Sequence, residues 1–271
     1  VLAGIVSKLR RAGRGKPNGI DGAATGGTTR PRIVLPSDPE VVYAVGDVHG
    51  CLRQLRVVED AIIRDGSRFA GLKLIVMMGD YVDRGPQSAE VVEHLLQPPP
   101  DGFRRICLCG NHDETFLRFL DGQIPLEGWM GFGGLPTLLS YGVDLPAFAA
   151  RGRALSESLL DEIVEAIPLA HRVFLRGLPV SLTTNAYFFA HAGARPGVAL
   201  RDQSERDLLW IREDFLRGKP LTERIVVYGH SPLPAPTYDE RGVGVDTGAY
   251  LSGRLSAARL LPGSVAFFQS D

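Results

Sequence analysis

Carboxylates, imidazoles and one carboxamide recur in this chain directly after short apolar runs. VVYAV (41–45) leads into Gly46-Asp47-Val48-His49-Gly50, and LIVMM (74–78) into Gly79-Asp80-Tyr81-Val82-Asp83-Arg84-Gly85. RICLC (105–109) leads into Gly110-Asn111-His112-Asp113, AYFFA (186–190) into His191-Ala192-Gly193, and IVVY (225–228) into Gly229-His230. Carboxylate, imidazole and amide oxygen together suit borderline-to-hard divalent ions such as Mn, Fe, Zn or Ni, not a thiolate site. Asp47, His49, Asp80, Asn111, His191 and His230 are too many ligands for one open catalytic ion. They suit two ions that share a bridging carboxylate. Two such ions, roughly 3.5–4 Å apart, hold a hydroxide between them and clamp both oxygens of an in-line displacement at phosphorus. Arg84 adds the planar fork that phosphate recognition favours. His112 stands beside a ligand and is available to protonate a leaving group, with Asp83 to orient its ring.

The apolar runs are the elements that must carry these residues. Each of the first three reads as a buried strand. Leu52, Leu55, Val58 and Ile62 keep helical spacing after the first, and Val91, Val92 and Leu95 after the second. Strand and helix alternating at these lengths imply right-handed crossovers and a parallel sheet, with ligands at the carboxyl ends of its strands. The glycines let the backbone turn sharply there. The middle of the chain reads as a cap, about 114–170. It contains a helix at 114–120, a Gly- and aromatic-rich loop (128–134) and a helix near 158–167 with a capping box at Ser158 and Asp161. Short strands are expected at 179–184, 186–190, 225–228, 243–245, 255–260 and 264–268, paired antiparallel, with one helix over 206–217.

The joint pattern resembles the metallophosphoesterases of the phosphoprotein-phosphatase type. Their hallmarks GDxHG, GDxVDRG and GNH-acid stand here as GDVHG, GDYVDRG and GNHD, in order, separated by 28 and 24 residues. The later HAG and GH match two further histidine ligands, and the resemblance spans about 41–262. It implies a four-layered α/β/β/α fold around a central β-sandwich. It also implies that Asp47 and His49 bind one metal, that Asp80 bridges, and that Asn111, His191 and His230 bind the second. Arg84 and Arg212 would hold the phosphate, and His112, paired with Asp83, would be the general acid. Cys109 stands where eukaryotic and phage relatives carry an arginine before GNH. The closing segment GVDTGAYLSGRLSAARL is similar to the dinucleoside-polyphosphate hydrolase branch.

Composition narrows the partners. The 271 residues are 44% hydrophobic and 23% charged with a formal charge of −1, an ordinary globular balance. No apolar run is long enough for a membrane span, and outside the terminal tail no basic track suggests nucleic acid. Residues 1–32 hold seven Lys or Arg against one Asp, and 1–38 read as a basic Gly/Arg-rich tail before a catalytic domain over 39–271. Three cysteines argue against a disulfide framework and for a reducing compartment. VLAGIV is too short for the core of a secretory signal, so the cytoplasm is expected.

The expected activity is hydrolysis of phosphomonoesters by direct attack of the metal-bridging hydroxide, with two ions, manganese foremost. Phosphoserine and phosphothreonine in proteins are the expected substrates, because an alkoxide of high pKa needs a donated proton. The alternative is a symmetrical dinucleoside polyphosphate such as diadenosine tetraphosphate. Relatives of that branch commonly lack the acid that this chain keeps as Asp83. Outside the motifs, Trp129 and Phe132 are read as cap packing or groove lining. Asp246 is read as a turn residue or a partner that orients a ligand.

Overall fold

Successive residues of a strand point to opposite faces, and in VVYAV both faces are apolar. In the computed structural model, which describes residues 29–145, 157–221 and 223–270, this segment forms strand β2 (Val41–Val45). Val41, Tyr43 and Val45 pack into a core beneath helices, whereas Val42 and Ala44 pack into a second core between two sheets. Strand β3 (Lys73–Met77) divides in the same way, Ile75 and Met77 against Leu74 and Val76. Fully burying one such aliphatic side chain stabilises by about 1.5–3 kcal/mol, so the two faces together fix the register firmly.

Strands β2, β3 and β4 (Phe103–Cys107) run parallel. With the antiparallel pair β10 (Ser256–Leu261) and β11 (Ser264–Gln269), they form a five-stranded sheet in the order β11-β10-β2-β3-β4. The crossovers are helix α1 (Leu52–Gly66) and helix α2 (Ser88–Leu96), whose apolar stripes cover the outer face. The second sheet has six strands, in the order β1-β5-β6-β7-β9-β8. These are β1 (Arg32–Val34), β5 (Ser181–Thr183), β6 (Tyr187–Ala190), β7 (Ile225–Tyr228), β8 (Thr237–Asp239) and β9 (Gly242–Gly244). Leu182, Phe189, Val227 and Val243 of this sheet meet Val42, Leu74 and Val76 of the first. Its outer face is covered by short helices α8 (Glu205–Trp210) and α9 (Glu213–Leu216), with Phe215 packed on Tyr228. The layers are therefore α/β/β/α, as expected.

Between β4 and β5 lie α3 (Asn111–Leu120), α4 (Leu126–Met130), α5 (Leu135–Ser140), α6 (Glu157–Ala166) and α7 (Leu169–Gly177). They pack into the core that α1 and α2 also cover. The last helix, α10 (Ala249–Ser252), precedes β10.

Four expectations change. Strands β6, β7 and β9 pair parallel, and only β5–β6, β8–β9 and β10–β11 among the later strands are antiparallel hairpin partners. Close spacing along the chain does not force antiparallel pairing when β7 and β9 are separated by a whole strand. The helix expected over 206–217 breaks at Ile211 and Arg212, where Ile211 is extended and buried. Ser158 lies inside α6, not at its cap, and residues 146–156 before it lie outside the described residues. Arg32–Val34, assigned to the tail, form edge strand β1 paired with β5, so the folded unit includes them. Residues 1–28 of that tail lie outside the described residues.

Candidate active site

Parallel pairing brings the ends of the strands to one level. Val45 stands opposite Met77, Met77 opposite Cys107, Phe189 opposite Val227, and Tyr228 opposite Gly244. The polar segment after each strand therefore opens on the same edge of the sandwich. Glycines permit the approach: a Cβ on Gly110 would stand 2.1 Å from Asp80 Oδ1, and one on Gly229 2.2 Å from Asp47 Oδ1. Among the described residues, five non-glycine residues have left-handed backbone: His49, Asp80, Asp83, Arg84 and His230. All five belong to the motifs, as strain concentrated at a functional site does.

Asp80 lies at the centre. Its Oδ2 is 3.4 Å from His49 Nε2 and its Oδ1 is 3.4 Å from His191 Nε2. Asn111 Oδ1 lies 2.9 Å from His191 Nε2 and 2.8 Å from His230 Nδ1. The backbone N–H of His230 donates to Asp47 Oδ2 at 3.0 Å. The six sequence-predicted ligands are thus brought together, all buried. Two overlapping donor groups meet here, His49–Asp80–His112 and Asp80–His191–His230.

The chemistry of this set fits divalent metal. Donor atoms around a shared ion with bonds near 2.1 Å stand about 3–3.5 Å apart, which matches these spacings. His49 Nδ1 faces Val82 O at 2.8 Å and His191 Nδ1 faces Met78 O at 2.9 Å. A carbonyl on one ring nitrogen leaves the lone pair on the other, here aimed at Asp80. Asp47 Oδ1 and His230 Nε2 are buried without a partner, and an uncompensated buried polar atom is costly unless a ligand satisfies it.

Asp113, which received no role from the sequence, holds this centre in place. Its carboxylate accepts the backbone N–H of Gly110, Asp80 and Tyr81, each at 2.9 Å. Asp80 Oδ1 in turn accepts the N–H of His112 at 2.9 Å. Burial disfavours an ionised Asp80, but the imidazoles of His191 and His112 outweigh it and hold the carboxyl well below its ordinary range. Burial likewise opposes a charged His191, and Asp80 and Asp47 lift that ring to about 9.

His112 Nδ1 lies 2.8 Å from Asp83 Oδ2, both side chains fully enclosed. Burial raises Asp83 to about 7 and drives His112 well below an ordinary imidazole. Trp129, expected in packing or groove lining, is buried against Phe116 and Phe119, and its indole N–H donates to Asp83. Phe132, partly buried against the same core, stands edge-on to His112 at 5.6 Å and to Trp210 at 5.8 Å.

Arg84 is half-buried beside the centre, with its guanidinium carbon 4.6 Å from the Tyr250 ring centroid. Arg212 stands at the break between α8 and α9 within electrostatic reach of Asp80, Arg84, Asp47 and Asp246. The neighbouring acids are engaged elsewhere, Glu213 with Arg217 and Asp214 with Arg195. Asp246 is buried near Asp47 and accepts the Gly248 N–H at 2.8 Å, closing a turn. Cys109 is buried below the site and presents no charge to it, since burial raises its thiol well above the usual range. His94 pairs with Glu59, and His171 with Tyr141 and Glu93, both away from the centre.

The family model of calcineurin-like phosphoesterases matches residues 41–260, the stretch that carries every strand-end motif. The chain belongs to this family. It is a metallophosphoesterase of calcineurin-like type, a hydrolase of a family that uses divalent metals. Related phosphoesterases include proteins named bis(5'-nucleosyl)-tetraphosphatase PrpE (asymmetrical). The protein of Bacillus thuringiensis (strain Al Hakam) is 26% identical over 236 residues, covering 79% of this chain and 88% of its own length. That of Oceanobacillus iheyensis is 27% identical over 235 residues, covering 79% and 86%. Among solved structures, a protein provisionally assigned as a diadenosine tetraphosphatase superposes with a TM-score of 0.59 at 23% identity, covering 89% of this chain and 98% of its own. A cold-active protein tyrosine phosphatase superposes at 0.53 with 18% identity, covering 88% and 81%. At these identities the structural likeness concerns the fold alone. No described helix is long and apolar enough to cross a membrane.

Proposed function

We propose that this phosphoesterase hydrolyses phosphomonoesters, foremost phosphoserine and phosphothreonine in proteins, by direct in-line attack of water-derived oxygen on phosphorus. Asp47 and His49 would hold one ion, Asn111, His191 and His230 the other, with Asp80 shared. Two divalent ions, manganese foremost with iron, zinc or nickel as alternatives, supply a nucleophile at neutral pH and offset charge on the phosphoryl oxygens. Arg84 and Arg212 bind and orient the phosphate. His112 Nε2 delivers a proton to the departing alkoxide as the phosphorus–oxygen bond to the leaving group breaks, while Asp83 holds the ring through Nδ1. A phosphate dianion beside the ring favours the protonated imidazole that this step needs.

The observation that carries this reading is the buried 2.8 Å contact between His112 and Asp83. Acid assistance of this kind contributes about 10²–10⁴-fold and matters most for a poor leaving group.

A second reading, hydrolysis of dinucleoside polyphosphates, draws support from the names of the relatives and from the aromatic rings at the cleft. Phe132, Trp210 and Tyr250 lie beside His112, His230 and His49, and aromatic faces of this kind stack nucleobases. The relatives' names specify asymmetrical cleavage, which differs from the symmetrical cut expected from sequence.

The deciding experiment measures phosphate release from a phosphothreonine peptide by metal-stripped protein, with and without Mn²⁺, with His112→Asn as control. Diadenosine tetraphosphate is assayed in parallel. Mn-dependent release lost in the variant supports the monoesterase. Inertness toward the peptide with turnover of the dinucleotide moves the substrate to the second reading, and the products, ATP with AMP or two ADP, fix the cut.

A further inference from the structure

The segment Trp129–Thr137 was unreadable in the sequence beyond its glycines and aromatics, yet it converges on two neighbouring residues of another loop. Trp129 Nε1 donates to Asp83 Oδ1 at 3.1 Å and Oδ2 at 3.2 Å. Thr137 Oγ1 donates to Asp83 Oδ1 at 3.0 Å and accepts the backbone N–H of Asp83 at 2.8 Å. Ser88 Oγ, buried and 3.1 Å away, completes the Thr137 hydroxyl. The carbonyl of Gly133 accepts the backbone N–H of Arg84 at 2.9 Å. Asp83 and Arg84 both hold left-handed backbone, which these bonds maintain. The paired glycines have a physical reason here. Gly133 is itself left-handed, and a Cβ on Gly134 would stand 2.5 Å from Trp129 Cε2.

We propose that Trp129 and Thr137 are positioning residues for proton donation: their two donors fix the Asp83 carboxylate, which aims His112 at the leaving oxygen. This rests on the reading of His112 as the general acid. A fully buried tryptophan is ordinarily core packing. Here the indole also spends its one N–H on the carboxylate behind the acid. The carboxylate has four lone-pair directions, and the donors from Trp129, Thr137 and His112 leave it little freedom to rotate. The Trp129 ring is held in turn by stacking on Phe116 at 4.9 Å and Phe119 at 4.6 Å, both on the helix that begins at Asn111. The bonds to Asp83 span 46 and 54 residues, so this support is assembled only in the fold.

The test compares kcat/KM on a phosphothreonine peptide, whose alkoxide needs a proton, with that on p-nitrophenyl phosphate, whose leaving group departs as a stable anion. Manganese-loaded wild type, His112→Asn, Trp129→Phe, Thr137→Val and Thr137→Ser are measured. Trp129→Phe keeps the stacked ring and deletes the donor. The ratio of the two substrates is taken within each sample, so a partly unfolded variant does not distort it. Trp129→Phe and Thr137→Val are expected to lose about tenfold or more on the peptide and about twofold or less on the aryl ester. Thr137→Ser, which keeps the hydroxyl, restores the wild-type ratio. Equal losses on both substrates, or none, overturn the proposal. If His112→Asn shifts the ratio and Trp129→Phe does not, only the positioning role fails. A flat ratio in His112→Asn, or a wild type inert toward both esters, removes the acid reading and this inference with it.

Discussion

The guanidinium of Arg84 lies over the face of Tyr250, 4.6 Å from the ring centroid. The same ring stands edge-on to His49 at 5.3 Å, so one exposed side chain braces Arg84, proposed to hold the phosphate, against the candidate metal ligand His49. A cation over an aromatic face at a solvent-open site is worth about 0.5–1 kcal/mol. Tyr250→Ala is therefore expected to raise KM by about two- to fivefold with kcat nearly unchanged, and Tyr250→Phe to behave as wild type. Steady-state kinetics check this. A fall in kcat at constant KM would assign Tyr250 to the chemical step instead.

Asp80 offers one oxygen to each of the His49 and His191 imidazoles, whereas Asp47 Oδ2 accepts the backbone N–H of His230. Asp80→Asn should lose both ions and most activity, and Asp47→Asn should lose one ion and less activity. Metal analysis after dialysis into buffered Mn²⁺ reads this out. The shared role of Asp80 is wrong if Asp47→Asn proves the more depleted.

No cysteine is poised as a nucleophile. Burial lifts the Cys51 thiol to about 11 and that of Cys107 to about 12, and a thiol so raised is not the reactive thiolate. One direct displacement inverts phosphorus. Hydrolysis of a chiral thiophosphate ester in oxygen-18 water should give inversion, and retention would reveal a covalent intermediate.

Asp83 supplies a dependence on pH. Burial raises its folded value to about 7, above the 3.8 of a free carboxyl, so the folded state holds this proton more tightly than the unfolded chain. The stability it contributes is fully present below about pH 4 and is lost as pH rises through about 7. Urea unfolding of metal-free protein should show wild type losing ground to Asp83→Asn across that window. The full difference is about 4 kcal/mol at most, since a tenfold change in proton affinity is worth about 1.4 kcal/mol. Parallel curves would mean that Asp83 ionises normally.

The convergence of Asp47, His49, Asp80, Asn111, His191 and His230, and of His112 with Asp83, was legible because each lies within a few residues of an apolar strand's end, and strand ends in a parallel sheet share an edge. The same reasoning could not reach Trp129 or Thr137, whose bonds to Asp83 join segments 46 and 54 residues apart with no local pattern. Asp113 was visible as the acid after GNH, but its three backbone donors come from two different loops. Three-residue strands such as β1 and β8 carry too little alternation to register. The parallel set β6, β7 and β9 depends on which strand inserts between which, a choice made by the second core and not by loop length. The break before Arg212 lies in the buried Ile211, an apolar residue that equally suits a continuous helix.

The five left-handed residues of the site each hold a conformation that glycine would adopt at lower cost, by about 1–3 kcal/mol apiece. At His49, Asp80, Asp83 and His230 burial and side-chain hydrogen bonds offset that gain, but at the half-buried Arg84 selection for heat resistance alone would favour glycine. Directed evolution of a thermostable form must score turnover in every round, because a gain in endurance at Arg84 would remove the side chain proposed to hold the phosphate.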